Sequence, residues 1–189
     1  MKIGQYAGEY LDQLKASLDK IDLEVLDKIV EEIKRAYFND KHIFIMGNGG
    51  SAATASHFAC DLGKGSSIEG KKRFRVMSLT DNVPLMTAWA NDASYNHIFR
   101  EQLANFCGKE DVVIAFSGSG NSPNVLEAIE YANKIGAITI GFTGFQGGKL
   151  KNLAKYALIF PSDNMERIED GHLILEHIIH LFLLEEIVV

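Results

Sequence analysis

Apolar residues recur at helical spacing over residues 6–21, where Leu11, Leu14 and Leu18 share a face. They do so again over 23–38, through Val25, Leu26, Ile29, Val30 and Ile33, with Asp22 placed as an N-cap. From residue 42 the pattern changes. Apolar runs of strand length occupy 42–46, 73–79, 111–116, 137–142 and 156–160. Helical stretches lie between them at 51–62, 83–90, 95–106 and 122–135, with a short one at 149–154. This alternation predicts an α/β domain built on a parallel sheet. A last helical pattern, 165–187, follows Asn164 as a candidate cap. No linker, repeat or low-complexity segment interrupts the chain. The expectation is one domain over 1–189, with residues 1–40 as a helical hairpin.

Composition narrows the picture modestly. The chain has 189 residues, 47% hydrophobic and 23% charged, which suits a soluble globular protein with a sizeable core. A net charge of −6 disfavours nucleic acid and anionic membrane surfaces, so any phosphate affinity has to be local. The polar N-terminal segment carries no signal-peptide core, and no apolar run reaches the ~18 residues of a spanning helix. The expected location is the cytoplasm. Cys60 and Cys107 form no metal or redox motif and are expected as buried free thiols.

Two segments carry the chemistry. Gly-Asn-Gly-Gly-Ser-Ala at 47–52 joins a predicted strand to a predicted helix, and so does Ser-Gly-Ser-Gly-Asn-Ser at 117–122. Such loops aim backbone N–H groups and hydroxyls at one point, where an anion is held. The first loop lacks the third glycine of a dinucleotide fingerprint and the Lys-Ser/Thr ending of a P-loop, which disfavours a nucleotide. A tight turn alone would also use small residues at 47–51. Ser122 followed by Pro123 also reads as a helix cap. Together the two loops suggest one phosphorylated small molecule gripped from two sides.

Outside the loops, His57 and Asp61 stand four apart, on one helix face, as a metal pair, an acid–base pair or an ordinary surface contact. The last helix holds Glu169, Asp170, His172, Glu176, His177 and His180. Glu169, His172, Glu176 and His180 fall near one azimuth, and periodicity does not choose between His177 and His180. A polar stripe facing solvent or another subunit would look the same. Lys71 and Lys72 read as solvated loop residues, Lys64 as a possible anion contact, Asn91-Asp92 as sugar contacts or a turn, and 144–148 as a turn without chemistry.

The segments GNGGSAATASHFACDL at 47–62, LTDNVPLMTAWANDASYNHIF at 79–99, SGSGNSPNVLEAI at 117–129 and ERIEDGHLILEH at 166–177 resemble the sugar isomerase (SIS) domain family. The resemblance covers nearly the whole chain and points to the phosphoheptose isomerase branch, which interconverts sedoheptulose 7-phosphate and a heptose 7-phosphate. It implies a three-layer sandwich with a five-stranded parallel sheet in flavodoxin-like order. It also implies a homotetramer with active sites between subunits, the N-terminal hairpin lying in the interface. Phosphate binding falls to Ser51, Ser117, Ser119 and Ser122, with Asn48, Gly49, Gly50 and Gly118 in the same loops. Asn48 and Asp92 would contact sugar hydroxyls, and Glu169 would be a further substrate contact.

The family's His-x-x-x-Glu maps onto His57 and Asp61, and its Gln-x-x-His-x-x-x-x-His onto Glu169, His172 and His177. This implies a Zn²⁺ site of His57, Asp61, Glu169 and His177. It implies Asp61 as base, or Glu169 if Asp61 is too short to reach, and His177 as acid. The chain departs from the family at Asp61 for glutamate, Glu169 for glutamine, Gly118 for threonine and Gly65 for arginine. The alternatives are an isomerase of another sugar phosphate and a non-catalytic tetramer that binds a replication initiator. Retention of His57, an acid at 61, an acid at 169 and His177 argues against the latter.

Overall fold

The computed structural model describes residues 1–188. Helices α1 (Ile3–Leu18) and α2 (Leu23–Phe38) precede β1 (His42–Gly47), and Asp22 caps α2 by accepting from the Val25 amide at 3.1 Å. Then come α3 (Gly50–Cys60), β2 (Arg75–Ser78), α4 (Val83–Asp92), α5 (Arg100–Phe106), β3 (Val112–Ser117) and α6 (Pro123–Lys134). The chain continues through β4 (Ile138–Thr143), α7 (Leu150–Leu153), β5 (Tyr156–Ile159) and α8 (Met165–Leu183). All neighbouring strands pair in parallel, in the order β2-β1-β3-β4-β5.

That order is the flavodoxin-like one, as expected. β3 and β4 are buried at every position, and β3 is apolar in all but its last residue, because helices cover both faces. On one face Ile43, Ile45, Ile114, Phe116, Ile140 and Phe142 pack against α2, α3 and α8. On the other, Phe44, Met46, Val113 and Ala115 meet α5, α6 and α7. Strand order reverses between β1 and β3, so their helices α3 and α6 leave on opposite faces. A crevice opens there at the carboxyl ends of the strands, where ligands of open α/β sheets bind. Both glycine-rich loops end at this point.

The boundaries differ where tertiary structure overrides periodicity. The stretch 95–106 is a 3₁₀ turn, Tyr95–His97, followed by α5, because Ser94 caps the turn by accepting from the Asn96 amide. The third helix ends in a π turn, Asp61–Gly65, and the last in another, Leu184–Val188. Lys72 is only partly solvated. Its ammonium donates to the Phe38 carbonyl at 2.9 Å and pairs with Asp40 at 3.0 Å, closing the end of α2. The thiols are free, but Cys60 is exposed and only Cys107 is partly covered, which corrects the expectation of two buried thiols.

Candidate active site

The loop after β1 turns at Gly49, whose φ of +57° and ψ of −123° suit glycine alone. The turn sends the amides of α3 toward the crevice. Across it runs the 117–122 loop. Asn48, Gly49, Gly50, Ser51, Ser117, Gly118, Ser119 and Ser122 line one cavity of about 250 Å³, together with Phe116, Met165 and Glu169. Ser122 opens α6, yet its hydroxyl makes no capping bond. It sits 3.3 Å from the Ser117 hydroxyl instead, so both hydroxyls face the cavity. Met165 packs over Gly118 and fills the room a threonine side chain would need there.

The turn at 144–148 proves to be the brace of the serine loop. The Gly144 amide donates to the Gly118 carbonyl at 2.8 Å, Leu150 to Gly120 at 3.0 Å, and Lys149 to the Asn121 side chain at 3.1 Å.

Asn48 is held by residues that sequence reasoning missed. Its amide exchanges two hydrogen bonds with Asn124, at 2.9 and 2.8 Å, and its Oδ1 also accepts from the Tyr95 hydroxyl at 3.0 Å. Asn124 lies in the first turn of α6, and only the sheet order brings it to Asn48. Asp92 is exposed at the end of α4, bonded to Asn91 at 2.7 Å, and does not line the cavity.

A second group of side chains lies along α3 and α8, which run side by side in the same direction. Glu169 packs directly on the backbone of Gly50, at the cavity end. Seven residues further along each helix, about 10 Å, stand His57 on α3 and Glu176 with His177 on α8. The Nε2 atoms of His57 and His177 are 3.3 Å apart. Asp61 Oδ2 is 3.7 Å from His57 Nε2 and 3.9 Å from His177 Nε2. Glu176 Oε1 is 3.4 Å from His177 Nε2 and 3.8 Å from His57 Nδ1. His57, Asp61, Glu176 and His177 therefore each offer an atom to one space.

Glu169 stands apart from this set. It is eight residues before His177, a rise of about 12 Å along the helix, and an azimuth takes no account of rise. His57, Asp61 and His177 come together as the resemblance implies, while the carboxylate that joins them is Glu176. Glu176 is fully buried, and burial, followed by the nearby Asp61, pushes its pKa up to about 8. His180 is a turn further on, its Nδ1 3.3 Å from the Ser66 hydroxyl, away from the set.

His172 belongs to the core. Its Nε2 donates to the Thr143 carbonyl at 3.0 Å between the rings of Phe116 and Phe142. Burial pushes its pKa down to about 4, opposed in part by that hydrogen bond. The unfolded ring takes up a proton below pH 6.5, whereas the folded ring stays neutral until about pH 4. Its stabilising contribution is thus complete above pH 6.5 and is lost as the pH falls toward 4. At about 1.4 kcal/mol per pH unit, about 3 kcal/mol disappears. Unfolding free energies from urea titrations between pH 7 and 4 will fall by that much more in the wild type than in His172→Gln. Parallel curves would contradict this.

The SIS domain pattern matches residues 9–144. The chain belongs to the SIS domain family. It is 40% identical to the phosphoheptose isomerase of Helicobacter pylori (strain P12) over 168 residues, covering 89% of this chain and 86% of that one. It is 38% identical to the phosphoheptose isomerase of Clostridium acetobutylicum over 157 residues, 83% and 80% of the two chains. Among solved structures, phosphoheptose isomerase GmhA from Neisseria gonorrhoeae superposes with a TM-score of 0.87 at 29% identity, covering 96% of this chain and 98% of that one. SIS membership thus agrees with the five-stranded parallel sheet and with the loops that line the cavity.

Proposed function

We propose that this chain is an aldose–ketose isomerase that converts sedoheptulose 7-phosphate to D-glycero-D-manno-heptose 7-phosphate. The observation that carries the reading is the distance between two chemistries. A phosphate-sized cradle of serines and glycines lies at one end of α3 and α8, and an imidazole–carboxylate set lies about 10 Å along them. A seven-carbon sugar with its phosphate on the last carbon and its reacting carbons first spans a distance of that order, since its bonds are about 1.5 Å each. The similarity to phosphoheptose isomerases over most of the chain supports the same substrate.

In the proposed reaction, Ser51, Ser117, Ser119 and Ser122 hold the phosphate and fix the sugar's orientation. Asn48, locked by Asn124 and Tyr95, presents its amide to a hydroxyl, and Asp92 is kept as a contact from outside the cavity. Glu169, in the cavity beside Gly50, accepts from a hydroxyl of the sugar chain. Asp61 removes a proton from C1 as the C2 carbonyl oxygen is protonated, which gives the enediol. The enediol then gives up its O1 proton, C1 becoming the aldehyde, as His177, across the same space, delivers a proton to C2. A divalent metal, with zinc the first choice, suits a set of two imidazoles and at least one carboxylate. His57, Asp61 and His177 would hold it, and a bound ion that expanded to take the sugar carbonyl as a further ligand would polarise it as a Lewis acid, Asp61 and His177 moving protons on the donor atoms that the ion leaves free.

A homotetramer with sites between subunits is part of the reading. Exposed Ile3, Tyr6 and Leu11 on α1, in the proposed interface hairpin, and exposed Ile178, Leu181 and Phe182 on α8 support it. No helix among the described residues is long and apolar enough to cross a membrane, which is compatible with the proposed cytoplasmic location. A non-catalytic role in binding a replication initiator is not favoured, since such a role needs neither Asp61 nor His177.

Incubating the purified protein with sedoheptulose 7-phosphate, with and without Zn²⁺, will yield the aldoheptose phosphate. Turnover of a hexosamine phosphate or another heptose phosphate alone would overturn the substrate. No turnover of any of these would overturn the activity.

A further inference from the structure

Glu176 is the unexplained residue of the site. It lies in the middle of α8 with no exposed surface, and neither of its carboxylate oxygens accepts a hydrogen bond. Burying a carboxylate without partners is costly, and a natural core rarely tolerates it without a reason. Hydrophobic contact offers none, because a leucine would fill the space at no such cost. The side chain points at the ring nitrogens of His57 and His177, with the Asp61 carboxylate in the same space.

The donor spacings indicate what the missing partner is. Four ligands about 2.1 Å from a tetrahedral ion are about 3.4 Å from one another. Here His57 Nε2 to His177 Nε2 is 3.3 Å, His177 Nε2 to Glu176 Oε1 is 3.4 Å, and Asp61 Oδ2 lies 3.7 and 3.9 Å from the two imidazoles. The two Nε2 atoms can share one proton between them at this distance, but that leaves both Glu176 oxygens without a partner. An ion would satisfy both imidazoles, along with the buried carboxylate.

We infer that Glu176 is a ligand of a divalent metal with His57, Asp61 and His177, and that Glu169 is not a metal ligand but a substrate-side residue. The inference deepens the isomerase reading, and it changes the ligand set that the family resemblance implies. Two carboxylates balance the charge of the ion. Glu169, relieved of that duty, keeps its place on Gly50 at the wall of the serine-loop cavity, where it meets the sugar. The two acids on α8 then have separate duties, set by the seven residues between them.

The test is metal affinity, read by competition with a chromophoric chelator and by the visible spectrum of the Co²⁺-loaded protein. Glu176→Gln, which keeps the shape of the side chain, will weaken Zn²⁺ binding at least about 100-fold and alter the Co²⁺ spectrum. Glu169→Gln will stay within about threefold of the wild type in affinity, with an unchanged spectrum, and will raise KM instead. The reverse pattern, or a wild type that binds no Zn²⁺, overturns the inference. If Glu176→Gln does not fold, anomalous scattering from wild-type crystals soaked in Zn²⁺ decides. A Glu176 oxygen about 2.1 Å from the ion supports the inference, and a Glu169 oxygen in its place overturns it. Turnover is measured separately. A protein that binds zinc through Glu176 but isomerises nothing leaves this inference standing and defeats the isomerase reading. Turnover without zinc binding does the opposite.

Discussion

Asp61→Asn and His177→Gln will each lower kcat for sedoheptulose 7-phosphate by about 10²–10⁴-fold, with the far-UV spectrum and thermal midpoint close to the wild type. The magnitude is that of losing one positioned acid or base. The two side chains face one space, 3.9 Å apart at their nearest atoms, and both are partly open to it. Neither supports the core, so the fold survives their loss. Because the phosphate grip lies about 10 Å away along α3 and α8, KM will change far less than kcat. Both assays belong at saturating Zn²⁺, with bound metal measured, so that a lost proton carrier is not confused with a lost ion. Ser119→Ala supplies the opposite signature, a raised KM with kcat nearly kept. Full activity in both Asp61→Asn and His177→Gln would remove the proposed proton-transfer pair.

The second large effect is structural. Gly120 has φ +64°, and a Cβ on it would run into the Gly147 carbonyl oxygen, with the Gly148 nitrogen 3.1 Å away. These are backbone atoms, which cannot swing aside as a side-chain end can. Gly120→Ala will therefore push apart the serine loop and its 144–148 brace. The expected cost is about 2–4 kcal/mol, with phosphate no longer raising the thermal midpoint. Gly70→Ala is the control. Gly70 also has a positive φ, +76°, but nothing lies within 4 Å of its Cβ position. Strain alone will cost it about 1–2 kcal/mol and leave phosphate protection intact. Equal effects at the two glycines would mean that the brace plays no part.

Much of this architecture is legible in the chain, for a physical reason. A parallel sheet covered on both faces demands continuous apolar strands, and the runs at 42–46 and 111–116 stand out as such. Glycine and serine directly after two of them mark the strand-to-helix loops. The edge strand β2 is less distinct. Arg73 and Arg75 interrupt the apolar run, and only Arg75–Ser78 pairs.

What the pattern could not convey was distance along an element and contact across elements. Glu169 and Glu176 share an azimuth on α8 and so look interchangeable, yet the rise between them separates a cavity wall from an ion-sized space. Tyr95 and Asn124 reach Asn48 only after the sheet has brought three distant segments together. The glycines at 144–148 seem idle until the 117–122 loop is seen leaning on them. Lys72 resembles a solvated charge until it meets the end of α2. Each of these rests on tertiary juxtaposition, to which local periodicity is blind.

The most direct test of the central claim is isomerisation of sedoheptulose 7-phosphate in D₂O, followed by NMR of the product. Separate groups that take a proton from C1 and return one to C2 exchange with solvent, so the aldoheptose phosphate will carry deuterium at C2, and His177→Gln will form little of it. Aldose made without deuterium at C2, or no aldose at all, would contradict the account.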